Sequence, residues 1–180
     1  NITDSGVIQV GNRTTLLAGG DITLDTIDSS YALLLIDGVN VDVSSADDLV
    51  LGRVVAESAE FGSDRGITDT SEALISIAGK TRLVAQQDVT LGQGDNTVRF
   101  GEVSLTGRNV LIQESDSTVL GDVDVVDVSY SSGGAITQSV ETTVFDIAGD
   151  ALFEARAGDS DIELGNALND FASLTVIGAD

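Results

Sequence analysis

Carboxylates are the side chains of this sequence best suited to chemistry, and two groups of them are closely spaced. Asp122, Asp124 and Asp127 fall within one short stretch, and Asp47 and Asp48 are adjacent. Paired carboxylates can act as general acid and base on sugar polymers. Polysaccharide lyases and hydrolases built on parallel β-helices combine such pairs with Arg or Lys on one face. Catalysis of this kind therefore requires a carboxylate pair and a cation that lie close together in the fold.

The sequence does not supply that combination. It has no His and no Cys, so the commonest general base and the best nucleophile are missing. The cations are scattered rather than grouped with the acids: Arg53, Arg65, Lys80, Arg99, Arg108 and Arg156. We therefore predict that the carboxylates are solvated or cap turns. We also predict no catalytic, cofactor-binding or metal-binding residues and no enzyme activity, with a carbohydrate-active β-helix enzyme as one alternative.

Calcium binding is the second alternative, because hard cations need several oxygen ligands and this chain is rich in them. Residues 92–96 (Gly-Gln-Gly-Asp-Asn) and 122–124 (Asp-Val-Asp) have fragments of the right chemistry. Neither matches an EF-hand loop or the Gly-Gly-x-Gly-x-Asp nonapeptide. The prediction is a hydrated acidic surface without a cofactor, and a calcium-binding adhesive module stays open.

Composition excludes several classes of protein. The formal net charge is −22, with 30 acidic and 8 basic residues in 180, which argues against binding nucleic acid or anionic lipid. No apolar run reaches transmembrane length, so direct membrane insertion is not expected. Hydrophobic residues make up 42%, too many for a disordered acidic chain. The absence of Cys rules out a disulfide framework.

Internal repetition is the main organising signal. Three segments open alike at near-constant spacing: residues 2–5 (Ile-Thr-Asp-Ser), 67–70 (Ile-Thr-Asp-Thr) and 136–139 (Ile-Thr-Gln-Ser). Each is followed by a second shared block, at residues 21–24 (Asp-Ile-Thr-Leu), 88–91 (Asp-Val-Thr-Leu) and 161–164 (Asp-Ile-Glu-Leu). We predict one segment, 1–180, with copies at 2–66, 67–135 and an incomplete 136–180.

The local pattern predicts strands. Aliphatic residues alternate with polar ones, as in Ile22/Leu24, Val41/Val43 and Val89/Leu91, and Gly-, Asn- and Asp-rich breaks separate the runs. Each copy would hold about three coils of roughly 22 residues. The predicted fold is an all-β, right-handed parallel β-helix of about eight coils, with two to three short strands per coil. Tandem β-sandwiches are the competing architecture, but they need about 100 residues each.

Aromatic side chains that could stack on sugar rings are sparse, and all five phenylalanines lie beside strand-like stretches. The predicted core positions are Phe61, Phe100, Phe145, Phe153 and Phe171. A carbohydrate-stacking platform is therefore not predicted from the sequence.

Several short segments of the sequence resemble the repeats of a known family. Residues 134–138 (Gly-Ala-Ile-Thr-Gln), 19–24 (Gly-Gly-Asp-Ile-Thr-Leu), 161–171 and 174–180 are similar to the repeats of very large bacterial exoproteins like filamentous haemagglutinin. The resemblance implies a β-helical shaft exported to the cell surface for adhesion or cell–cell contact.

The expected function is thus a structural or adhesive shaft segment of a large secreted or bacterial cell-surface protein. A coil buries its apolar face only by stacking on its neighbours. The expected partners are therefore neighbouring repeats of a parent chain, or a second copy stacked end to end. A cell-surface or carbohydrate ligand is a further candidate partner, and nucleic acid is not.

Overall fold

Strands account for all of the regular secondary structure in the computed structural model, which describes residues 1–26, 28–139, 143–158 and 160–178. Ala179 and Asp180, the last residues of the 174–180 segment quoted above, lie outside the described residues. Within the described part, no helix is long and apolar enough to cross a lipid bilayer. The fifteen strands are β1 (Ile2–Thr3), β2 (Gln9–Leu17), β3 (Ile22–Leu24), β4 (Ser30–Asp37), β5 (Asn40–Ser45), β6 (Leu49–Ala56), β7 (Ser58–Ser63), β8 (Ile67–Ala85), β9 (Val89–Leu91), β10 (Thr97–Gln113), β11 (Thr118–Ser132), β12 (Ile136–Gln138), β13 (Phe145–Ala155), β14 (Ile162–Glu163) and β15 (Asp170–Ile177).

Every strand pairing in the described chain is parallel and joins segments one coil apart. One inward ladder passes without a break through seven coils, taking one residue from each: Leu24, Val43, Phe61, Leu83, Leu105, Val123 and Phe145. Parallel pairing between segments so close in the sequence is possible only if the chain winds around one axis. The predicted all-β parallel solenoid of about eight turns is confirmed.

Several strands are longer than the short segments that the sequence indicated. β8 has 19 residues and β10 has 17, because each continues around a corner of the coil. The register between β8 and β10 shifts between Phe100 and Glu102. Gly101 lies in this shift, and a Cβ there would overlap the carbonyl oxygen of Ala78. Only glycine lets the two coils approach this closely at the corner.

The core is a column of branched aliphatic side chains with a few large rings. Four of the five phenylalanines are buried as predicted, and Phe171 is half-buried against the same core. The Phe145 ring stacks on Phe153 at 5.9 Å and meets Phe171 edge-on at 6.3 Å. Full burial of an aliphatic or phenylalanine side chain contributes about 1.5–3 kcal/mol. Each coil therefore stabilises the one beside it through like residues in contact.

The sequence copies are out of phase with the coils. The ladder that starts at Ile2 reaches Ala59 after three coils, and the second opening, Ile67, lies eight residues further on. The ladder that starts at Ile67 reaches Val128 after three coils, and the third opening, Ile136, again lies eight residues further on. A copy is therefore three coils plus eight residues.

Candidate functional site: the contacts between coils

The two landmarks of each copy are direct neighbours in space. The second shared block lies on the opening of its own copy, one coil away, through the pairs Ile2–Ile22, Ile67–Val89 and Ile136–Ile162. Their inward side chains stack in the core, and their polar neighbours meet at the adjacent corner. The repeat signal in the sequence thus marks a recurring contact between coils.

In the third copy this corner contains an amide clamp, which we define as Gln138, Asn166 and Asn169. The Gln138 side chain donates from Nε2 to Asn169 Oδ1 at 2.9 Å, and Asn169 Nδ2 donates back to Gln138 Oε1 at 3.0 Å. Asn169 Oδ1 also accepts the Phe145 backbone N–H at 3.0 Å. Asn166 donates its backbone N–H to Gln138 Oε1 and its Nδ2 to the Thr143 carbonyl. The clamp supplies partners for backbone groups where the strand ladder is interrupted.

The second copy builds the same corner with different residues. Asp69 Oδ2 accepts the Gly92 N–H at 2.7 Å, and Asn96 Oδ1 accepts the Ala73 N–H at 2.9 Å. Burial raises the pKa of the Asp69 carboxyl, and the bonds from Gly92 and Asn96 oppose that rise. Gly92 has φ +80°, a left-handed conformation that closes the turn.

The first copy uses shorter side chains for the same purpose. Asp4 Oδ2 accepts the Thr26 N–H at 3.3 Å, and Ser29 Oγ accepts the Ile8 N–H at 3.1 Å. In all three copies the third residue of the opening therefore accepts a backbone N–H from the next coil. Sequence reasoning found the openings but missed this role, for which the polar third residue in every copy was the available signal.

The carboxylates considered for catalysis are also used between coils. Asp122 Oδ1 accepts the Val144 N–H at 3.0 Å, and Asp127 Oδ1 accepts the Asp150 N–H at 2.8 Å. Asp124 stacks in register on Asp146. The structure places these three acids on β11 and gives each a different neighbour in the next coil.

The adjacent acids at the other candidate position diverge in the same way. Asp48 Oδ1 accepts the Gly66 N–H at 2.9 Å, whereas Asp47 Oδ1 lies 3.5 Å from Arg65 Nε. Within the described residues, no group of three or more metal-ligating side chains is placed to hold a metal ion.

The ion pairs of the described residues also join neighbouring coils. They are Arg53–Asp37, Arg65–Asp47, Lys80–Glu102, Arg82–Glu60 and Arg99–Asp116, at 2.5 to 3.6 Å. Each cation is about half-exposed or more, so each pair contributes at most about 1 kcal/mol. The cations neutralise carboxylates across the stack rather than gather at one centre.

Corner residues extend these bonds into a polar ladder near the first coils. Asp21 donates its backbone N–H to Asn1 Oδ1 at 3.0 Å, and Asn40 Nδ2 donates to Asp21 Oδ1 at 2.7 Å. Ser58 Oγ then donates to Asn40 Oδ1 at 2.8 Å. Asp21 and Asn40, which directly precede β3 and begin β5, thus link neighbouring coils.

One carboxyl lies inside the core. Glu114 is fully buried, and its Oε1 accepts the Phe100 N–H at 2.7 Å. Its Oε2 accepts the hydroxyl hydrogen of Tyr130, whose oxygen lies 3.2 Å from Thr118 Oγ1. Burial raises the pKa of Glu114 to about 7, against the opposing effect of the bonds from Tyr130 and Phe100.

Glu114 was not singled out in the sequence, although strand alternation could have found it. Val110 and Ile112 point inward on β10, and Glu114 is the next residue in that alternation. Its main chain is held as well, because its carbonyl accepts from Gly133 N–H and Arg156 Nη2, both at 2.9 Å.

Comparison with known proteins identifies a family of repeats. A family model described as "Repeats of unknown function (DUF5649)" matches residues 1–30, 38–106 and 107–178. The second and third matched stretches begin at Gly38 and Gly107, the same separation as between the openings at Ile67 and Ile136. No curated protein and no solved structure shows a significant match to the chain.

Proposed function

Because this chain belongs to the DUF5649 family of repeats of unknown function and folds as a parallel β-solenoid, we propose that it is a shaft segment with a structural or adhesive role. The observation that carries this proposal is that the copies join in the middle of a coil. A copy of three coils plus eight residues ends partway around a coil, and its last strands pair with the first strand of the next copy, as β6 and β7 do with β8. It transmits one continuous core to the next copy, as a shaft requires.

We place this shaft outside the cell, as part of a large secreted or bacterial surface protein. The support is the resemblance to repeats similar to filamentous haemagglutinin. The segments that carry this resemblance contain the residues of the amide clamp. Residues 134–138 end in Gln138, and residues 161–171 contain Asn166 and Asn169. The resemblance therefore involves residues that bond one coil to the next.

The proposed role is not enzymatic. The candidate acids accept backbone N–H groups from the next coil, as with Asp48, Asp122 and Asp127. The proposed partners are further coils of the same kind, in a parent chain or in a second copy. Leu174, Val176 and Ile177 of β15 are 45–48% exposed, and another coil would cover them.

Inserting one more copy tests the shaft. A duplicate of residues 38–106 placed after Thr106 rejoins the chain at Gly107, where the matched repeat begins. At about 4.8 Å per coil, the inserted copy should lengthen the particle by about 16 Å. Small-angle X-ray scattering should show this length with an unchanged cross-section, and melting should remain one transition.

The matched control carries the same inserted residues in shuffled order, and it should not extend the rod. A thicker particle, or a second melting transition from an independently folded insert, would contradict the proposed role.

A further inference from the structure

A groove on the outer surface of the later coils has a regular construction. Its centre is Ser129 on β11, which pairs with Leu111 of the coil before and Leu152 of the coil after. Strands lie about 4.8 Å apart, so the two leucines stand about 10 Å apart with only a serine between them. The groove has a volume of about 490 Å³. Its floor is a slot one strand wide with an apolar wall on either side.

Carboxylates form one edge of this slot. Asp127 lies two residues before Ser129, and Asp150 lies two residues before Leu152, so both point outward beside the slot. Asp150 donates its backbone N–H to Asp127 Oδ1 at 2.8 Å. Among the described residues, neither carboxylate forms an ion pair. With Asp88, which accepts from Asn109 Nδ2 at 2.8 Å, the edge carries three carboxylates, and none of them is in a described ion pair.

The wider surroundings increase this field. Residues 88–152, which include every residue that lines the groove, contain eleven acidic residues and two cations, Arg99 and Arg108. None of the described ion pairs involves a carboxylate that lines the groove. The groove therefore lies in a strongly negative part of the surface, which attracts a positively charged ligand.

We propose that this groove binds a basic segment of a partner protein, with an Arg or Lys side chain laid across Ser129. The aliphatic stem of such a side chain fits between Leu111 and Leu152, and its charged head reaches Asp127 and Asp150. Long cationic side chains bury their stems on apolar surface while their heads stay at polar groups. The inference goes beyond the shaft role and does not depend on it.

The probe is hexa-arginine peptide, titrated into the full chain at about 0.15 M salt, where long-range attraction is largely screened. Hexa-citrulline, which keeps the stem and lacks the charge, is the peptide control. Amide chemical shifts should move at Leu111, Ser129 and Leu152 with hexa-arginine and not with hexa-citrulline.

A pair of double variants separates the groove from general attraction to an acidic protein. D127N/D150N should weaken binding about tenfold or more, because it removes two of the three charges at this edge. D124N/D146N makes the same change in net charge on the same two strands, outside the groove, and should weaken binding less than about twofold. S129L should also weaken binding, since it fills the slot without changing charge, and L111S serves if S129L lowers the melting temperature.

Equal losses in the two Asp pairs would overturn the proposal, because they would show attraction to overall charge. Shifts centred on other residues, or no binding of hexa-arginine to the wild-type chain, would overturn it as well.

Discussion

Gln138 and Asn169 are 31 residues apart in the sequence and exchange two amide hydrogen bonds across neighbouring coils, at 2.9 and 3.0 Å. Each amide thereby supplies a donor and an acceptor to the other. Asn169 also accepts the Phe145 N–H, which ties the pair to the beginning of β13. The pair aligns two coils at a place where the chain leaves the strand ladder.

Removal of the Asn169 amide should destabilise the protein measurably. We expect N169A to lower the free energy of unfolding by about 2 kcal/mol, because it removes the acceptor of the Phe145 N–H and both hydrogen bonds to Gln138. N109A is the control, since Asn109 bonds to Asp88 at an exposed corner, and it should cost less than about 1 kcal/mol. Urea denaturation measures both, and an equal loss would contradict a special role for the clamp.

The two amides of the clamp should act as one unit. In a double-mutant cycle, Q138A/N169A should cost clearly less than the two single variants combined, because either change breaks the same pair of bonds. Additive costs would show that Gln138 and Asn169 contribute independently.

Stability should depend on pH through Glu114. Its pKa is raised to about 7 in the folded protein from an ordinary value of 4.5. The folded state therefore binds the carboxyl proton more tightly than the unfolded state does. The resulting stabilisation is complete below the unfolded pKa and is lost as pH rises through about 7. The predicted loss between these pH values is about 3 kcal/mol.

E114Q isolates this group from the many surface acids. Its amide stays uncharged, so the wild-type chain should lose stability relative to E114Q as pH rises from 4.5 to 7.5. The groups around the carboxyl are Tyr130, Thr118, Asp116 and the Phe100 N–H. Parallel curves of unfolding free energy against pH would refute the assignment.

Two glycines of the 92–96 turn allow the cost of a left-handed backbone to be distinguished from the cost of steric overlap. Gly92 and Gly94 both have positive φ, +80° and +73°. A Cβ at Gly92 would overlap the carbonyl oxygen of Gln113, whereas a Cβ at Gly94 has open space around it. G94A should cost about 1 kcal/mol for the left-handed backbone, and G92A should cost at least about 3 kcal/mol. Thermal melting measures the loss of stability in both variants. Equal losses would contradict the close approach of the coils at Gly92.

Calcium should have no specific effect on stability. The turn at 92–96 bonds to Asp69 through the Gly92 N–H, and Asp122 accepts the Val144 N–H. Millimolar calcium should raise the melting temperature no more than the same concentration of magnesium, because both ions screen a net charge of −22. A rise with calcium alone would revive the calcium-binding alternative.

Periodicity was sufficient to predict the fold, whereas the contacts at the corners depend on the path of the chain in three dimensions. Alternating aliphatics such as Ile22 and Leu24 indicate a strand with one buried side, and their recurrence at the short period of a solenoid indicates a coil. Sequence spacing cannot show which residues meet across a coil, because coil lengths vary: the coil from Val43 to Phe61 is shorter than the next one, from Phe61 to Leu83. Gln138 ends β12 and Asn169 directly precedes β15, so their contact lies outside the paired strands and could not be inferred from strand spacing.

The eight-residue excess of each copy also bears on the straightness of a long rod. If copies were in phase with the coils, every bulge and corner loop would recur along one side, and the small bends that they cause would add to a curve. With the excess, each copy presents those irregularities in a new direction around the axis. Successive bends then compensate one another within a few copies, so an assembly of many such repeats would keep its direction over distances far greater than the width of a coil.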